Sequence, residues 1–306
     1  MMSSFTLAAG DPVQHVINHP FIISEGGWWI WSTSQTNMVI VAAIMVFGGL
    51  FVAKSVSTGA EGEGHGRWVT NNRLAHMIEV ICDYLRENTV RPLIGERTNK
   101  MMPFLWTIFF FILINNLMGL IPLLDLHNII AGKMAPDLVA QHKAFIGGTA
   151  TQSIWVTGAL AFVSAIVINI AGVKELGVGG YLKHLTAEAP IFVWPIIIPI
   201  EILGTIIKPA ALMIRLFANM TAGHILVAVL LGFASSGFTN ENLLLGFPVG
   251  VVSSLGIIAI YFLELFVSFL QAFVFMFLTT VFISLLAHHG DHDHETVHEI
   301  AEAALA

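Results

Sequence analysis

The sequence predicts an all-α membrane protein made of five apolar spans, one amphipathic surface helix and polar connecting loops. Three observations predict it. Of the 306 residues, 56% are hydrophobic and only 11% are Asp, Glu, Lys or Arg, against about 25% charged in an ordinary soluble domain. The mean hydropathy is +0.81. Apolar runs of about 20 residues, the length that crosses a bilayer, recur along the chain and are separated by clusters of charge and glycine. The net charge of −7 supplies no basic patch for nucleic acid. The lone Cys82 cannot form an internal disulfide, and no CxxC or CxxCH site is present.

Residues 1–36 contain neither Lys nor Arg and no compact apolar run ahead of a cleavage site, so they read as a segment outside the membrane and not as a signal peptide. The first span is 37–54 (NMVIVAAIMVFGGLFVAK), which carries no charge before Lys54. A different kind of segment follows at 72–90. Leu74, Met77, Ile78, Ile81 and Leu85 recur at helical spacing, while Arg73, Glu79, Asp83, Arg86 and Glu87 take the other side. That pattern predicts an amphipathic helix lying along the membrane surface. The bland alternative is a small soluble helix packed on a loop.

The second span is 103–124 (PFLWTIFFFILINNLMGLIPLL) and the third is 153–173. The fourth and fifth regions, 190–234 and 247–287, are over-long. Each holds roughly 40 residues, about 60 Å of helix, twice the hydrocarbon thickness of about 30 Å. Each is therefore two spans or one strongly tilted helix. Pro190, Pro195 and Pro199 allow a kink in the fourth. The fifth has no proline after Pro248 and reads as one continuous helix. The predicted organisation is an external segment 1–36, a single membrane domain 37–287 and a His-rich acidic tail 288–306.

Basic residues set the expected orientation. Lys54, Arg67, Arg73, Arg86, Arg91, Arg97 and Lys100 lie in 54–100, and Lys174 and Lys183 follow the third span; only Lys133 and Lys143 lie in 125–152. The positive-inside rule then puts the 54–100 loop and the C-terminus in the cytoplasm and the N-terminus outside.

The remaining two basic residues, Lys208 and Arg215, are inside the fourth apolar region. A central arginine costs about 2.5–3.5 kcal/mol on insertion scales, so such a residue usually faces a protein interior or a water-filled cavity. The bland reading is an arginine snorkelling from a helix end, but apolar residues flank Arg215 for several turns on both sides. Glu201, Lys208 and Arg215 are spaced by seven and share one stripe of a helix, with Asn219 one turn further on the same side. The fifth region has its own stripe of Glu264, Ser268 and Gln271. Folding the two helices into an antiparallel hairpin about residues 243–244 puts Arg215 level with Gln271 and His224 level with Glu264. The first is a fixed cation beside an amide. The second is a couple with ordinary pKa values of about 6.5 and 4.3, suited to passing protons and holding water in an apolar wall.

The run RLFANMTAGH, preceded by KP, and the later QAFVFMFLTTVFISL resemble the two C-terminal helices of the subunit a family of F-type ATP synthases. PFLWTIFFFILINNLMGLIPL is similar to that family's asparagine- and proline-containing span, KELGVGGYLKHLT to its cytoplasmic loop, and DPVQHVINHP to its N-terminal opening. The resemblance implies one outer helix, a surface helix, a membrane hairpin and two long tilted helices that form a hairpin against a ring of c subunits. It implies an ion-translocating stator without catalytic chemistry or cofactor, in a bacterial inner membrane. Its partners would be the c-ring, peripheral-stalk b subunits and other synthase subunits. By resemblance Arg215 matches the arginine that faces the ring carboxylate, Gln271 the glutamine beside it and Asn219 the asparagine one turn on. Glu201 matches a polar residue of the cytoplasmic access path, and His224 and Glu264 match the outer half-channel pair. Some members carry that acid on the earlier helix and the histidine on the later one; here the two are exchanged.

Two other classes stand beside this reading. A secondary transporter or antiporter also uses intramembrane Arg and Glu, but no internal repeat pairs two broken helices. A haem-binding subunit needs stacked axial histidines, and only His224 lies well inside a span. The tail histidines His288, His289, His292, His294 and His298 could chelate a metal, although a solvated acidic tail is the simpler reading. GVGG at 177–180 lacks the Lys-Ser/Thr ending of a phosphate loop and reads as a turn. Asn115 and Asn116 read as helix-packing residues.

Overall fold

The computed structural model describes residues 20–23, 29–56, 72–121, 150–185, 191–239 and 243–305. Most of the N-terminal segment and of the 125–152 loop lies outside them, as do the side chains of the tail histidines. Seven α-helices are present among the described residues: α1 (Thr33–Val56), α2 (Arg73–Tyr84), α3 (Arg91–Ile94), α4 (Thr98–Leu120), α5 (Ile154–Leu185), α6 (Trp194–Thr239) and α7 (Leu243–Leu305). Among the described residues, five stretches are long and apolar enough to cross a membrane: Thr33–Ser55, Arg73–Leu120, Ile154–Lys174, Met213–Thr239 and Leu244–Ser284.

Local chemistry sets several boundaries. At the start of α1 the backbone N–H of Ser32 donates to Oε1 of Gln35 at 2.8 Å, the return half of a capping box. The Trp31 indole donates to Oγ1 of Thr36 at 2.7 Å. A short antiparallel pair, β1 (Pro20–Ile23) with β2 (Trp29–Ser32), precedes it. This pair departs from the all-α expectation. Its Ile and Trp residues suit a pleated surface, but two four-residue strands are too short to stand out from an apolar background.

The predicted surface helix is shorter than its apolar pattern. Asn72 caps α2 by accepting from the N–H of Leu74 at 3.0 Å. From Leu85 to Val90 the chain continues as π-helix. The wider turn buries Leu85, Thr89 and Val90 together and ends where Arg91 bonds Glu87 at 2.6 Å. Gly95, at φ 56°, turns the chain from α3 towards α4, a backbone region that only glycine occupies freely. Gly177, at φ 68° and ψ 170°, interrupts α5; the turn expected over GVGG is confined to that residue, and helix resumes at Val178.

The chain divides into two compact units. One comprises Met1–Met45, Phe110–Thr157 and Met213–Ala272; the other comprises Val46–Phe109, Gly158–Leu212 and Phe273–Ala306. The second has a mainly apolar core that includes Leu85, Met102, Leu105, Phe109, Phe275 and Met276. In it the Trp106 indole donates to the carbonyl of Cys82 at 3.3 Å, and the Ser284 hydroxyl donates to the carbonyl of Leu93 at 2.7 Å. These bonds tie α2 and α3 to α4 and α7. On α2, Leu74, Met77 and Val80 stand exposed, as an apolar face directed at a bilayer interface would. The first unit is built differently. Beside Val41, Ile112, Leu216 and Met220, it buries Asn115, Asn116, Thr151, Glu264, Ser268 and Gln271.

Candidate functional site

Every polar residue that the sequence singles out between Arg215 and Gln271 belongs to the first unit. Glu201 and Lys208 are on α6 in the second unit, and their side chains lie outside the described set. Helix α6 supplies Arg215, Asn219 and His224, and α7 supplies Glu264, Ser268 and Gln271.

The two helices run antiparallel in one steady register. Near the turn the rings of Phe238 and Phe247 meet edge to face with centroids 6.4 Å apart. Gly237 abuts the backbone of Gly250, Leu230 lies over Gly256, and Gly223 lies against the carboxylate of Glu264. That last contact leaves no room for a methyl at position 223. His224 is the next residue along the chain and is half-buried. No hydrogen bond joins it to Glu264, whose Oε2 is buried with no partner among the described residues.

Spacings of four and three put Glu264, Ser268 and Gln271 on one face of α7, and that face is buried, with residue exposures of 6%, 0% and 2%. The neighbouring Leu263, Leu265, Phe266, Phe269 and Leu270 are exposed. Ser268 Oγ and Gln271 Nε2 also lack partners. Buried polar atoms are nearly always satisfied by protein or by water. A line of unsatisfied groups along one helix face is the arrangement that a file of water would complete.

Helix α6 has the opposite character. Ile214, Arg215, Ala218, Asn219 and Ala222 are exposed and form an outward stripe, while Leu216 and Met220 are buried. Arg215 makes no hydrogen bond or ion pair with another described residue. The Gln271 amide instead meets Asn219, whose Nδ2 donates to Gln271 Oε1 at 3.1 Å. Behind this pair, Asn116 of α4 donates from Nδ2 to the backbone carbonyl of Ser268 at 3.4 Å and accepts from the Thr151 hydroxyl at 3.0 Å. Asn115 donates to the carbonyl of Phe111 at 2.8 Å and leaves its Oδ1 unpaired.

Gly223, Gly237, Gly250 and Thr151 were not among the residues that the sequence singled out. For Gly223 and Gly237 the available signal was a glycine inside an apolar helix beside a polar residue, which marks close approach of another backbone.

A membrane protein whose long apolar elements are all helices, with a buried acidic and amide seam and an arginine turned out of its own fold, belongs to the class that moves ions through a bilayer. Residues 35–284 match the family described as ATP synthase A chain. The chain is similar to ATP synthase subunit a of Myxococcus xanthus, with 36% identity over 270 residues, 86% of this chain and 76% of that protein. It is similar to ATP synthase subunit a of Chloroherpeton thalassium, with 34% identity over 301 residues, 93% of this chain and 79% of that one. It also resembles ATP synthase subunit a 2 of Prosthecochloris aestuarii, with 36% identity over 305 residues, 95% of this chain and 83% of that one. The chain therefore belongs to the ATP synthase A chain family, the proton-translocating stator subunit of the Fo sector. It conducts protons and holds no catalytic site of its own.

Proposed function

We propose that this subunit provides two offset half-channels through which protons reach and leave a carboxylate carried by a ring of c subunits. The single observation that carries the reading is the contrast inside one unit: Arg215 is exposed on α6 while Glu264, Ser268 and Gln271 are buried behind it on α7. A guanidinium turned towards bare hydrocarbon would cost several kcal/mol, about 2.5–3.5 on insertion scales. A carboxylate on a neighbouring ring removes that cost.

In this mechanism a proton enters from the N-terminal side through water around His224 and Glu264, along the face that carries Ser268. It neutralises the ring carboxylate, which can then turn through lipid, where its ionised form would be too costly. After nearly a full turn it is released into a cytoplasmic half-channel that includes Glu201 and Lys208. Arg215 lies between the two paths. An opposite charge within a few ångströms lowers the pKa of an acid, so Arg215 favours the ionised carboxylate as it arrives. A guanidinium stays protonated at any working pH, so no proton crosses directly between the paths. Asn219 and Gln271 hold the backbone and amide shell beside it. Each proton delivers about 2.3 kcal/mol per 100 mV. Peripheral-stalk b subunits keep the chain static while the ring turns, with the N-terminus outside and the C-terminus in the cytoplasm.

Disulfide trapping tests the reading. Ala218 is exposed one turn from Arg215. A cysteine at 218 should cross-link to a cysteine one turn from the ring carboxylate in the assembled complex. Failure to cross-link at every ring position, together with labelling of position 218 by a lipid-soluble reagent, overturns the proposed ring contact.

A further inference from the structure

We infer that a backbone clasp between Gly237 and Gly250 sets the register of α6 against α7 and so positions the Glu264 carboxyl for proton transfer; the inference rests on the proposed role of Glu264. Both glycines are buried. A Cβ at Gly237 would stand 2.5 Å from the amide nitrogen of Gly250 and 2.8 Å from both its Cα and the carbonyl oxygen of Gly246. These obstacles are all backbone. Ordinary carbon contacts are about 3.5–4.0 Å, so any side chain at 237 pushes the helices apart by about 1 Å.

The clasp is tied to the site by spacing. From Gly237 back to Gly223 the chain runs through the same number of residues as from Gly250 on to Glu264. With one rise per residue, the clasp and the Gly223–Glu264 contact are two points of a single register, and Leu230 over Gly256 is a third between them. Apolar packing alone fixes such a register weakly in a membrane, where lipid is as apolar as the side chains. Two backbones in direct contact fix it by steric exclusion. Gly237 and Gly250 are positioning residues, remote from the transferred proton.

The neighbours of each glycine separate this account from general packing. At Gly250 a Cβ meets the Phe238 ring, at 2.8 Å from Cε1, and that ring can move. At Gly232 nothing lies within 4 Å of an added Cβ.

The test uses the assembled synthase in membrane vesicles with Cys82→Ser. Leu230→Cys with Gly256→Cys reports the register by its rate of disulfide formation. Passive proton flux through Fo, measured across pH, reports the site. Gly237→Ala should slow cross-linking, lower flux about tenfold or more, as displacement of a positioned group by about 1 Å does, and shift the pH of half-maximal flux. Gly250→Ala should do the same more mildly and recover with Phe238→Leu, which keeps the test open if Gly237→Ala fails to assemble. Gly232→Ala should behave as wild type. Unchanged cross-linking in both Gly237→Ala and Gly250→Ala overturns the clasp. Slowed cross-linking with unchanged flux overturns its link to proton transfer. Wild-type flux in Glu264→Gln instead faults the role given to Glu264, whatever the cross-linking shows.

Discussion

Asn219 donates its side-chain amide to Gln271 across 3.1 Å, joining the outward arginine stripe of α6 to the buried polar face of α7. Arg215 is one turn away on α6. The bond anchors the segment that carries the fixed charge; Gln271 accepts it through Oε1, and its own donor, Nε2, has no partner among the described residues. A buried amide that loses its remaining bond costs about 1–3 kcal/mol. Asn219→Ala and Gln271→Ala should each lower proton flux and the unfolding temperature of the complex. A double-mutant cycle on stability should return a coupling of about 0.5–1.5 kcal/mol. Strict additivity of the two would mean that the bond does not form in the assembled membrane protein.

Arg215→Ala should abolish proton-driven ATP synthesis while the complex still assembles, because the side chain is exposed and packs into no core. Arg215→Lys should also fail, since a lysine loses its proton readily in a desolvated site. ATP synthesis driven by an imposed gradient in inverted vesicles measures both. Normal coupled synthesis in Arg215→Ala would remove the arginine from the mechanism.

The exchanged pair predicts a reciprocal rescue. His224→Glu combined with Glu264→His should retain more proton flux than either single change, because the couple is kept with its members swapped. Gly223 sets a condition on it: the Glu264 carboxyl lies against that glycine, so a ring placed at 264 needs the same open position. Flux in reconstituted vesicles decides the matter, and a double variant worse than both singles argues against partnership.

Ser268 separates stability from transport. Its hydroxyl is fully buried and has no hydrogen-bond partner among the described residues. Removing a hydroxyl that only channel water completes costs no protein–protein hydrogen bond. Ser268→Ala should therefore leave the complex as stable as wild type, yet lower its proton flux. Thermal unfolding and vesicle flux on the same preparation give the two readings. Unchanged flux would make the hydroxyl a bystander to the water file.

Much of the architecture was legible because its cause is one-dimensional. A bilayer demands continuous apolar length, so α1, α4 and the first stretch of α5 could be read from composition windows. Helical periodicity likewise put Leu74 and Met77 opposite the charges of α2. The antiparallel frame of α6 and α7 could be read too, because polar residues are rare enough in these spans for their spacing to stand out. The π-helical stretch after Tyr84 could not be read. It arises where Leu85, Thr89 and Val90 are buried together, and no local pattern announces that.

The amino-acid sequence alone determined where the long apolar stretches run, the presence of a charged arginine among them and the helix faces on which Glu264, Ser268 and Gln271 stand, since period and hydropathy are properties of consecutive residues. Tertiary structure decided which of those faces is buried, that Gln271 meets Asn219, and that Gly223 makes room for the acid. Burial and close approach depend on residues far apart in the chain, and their packing exists only once the helices have met.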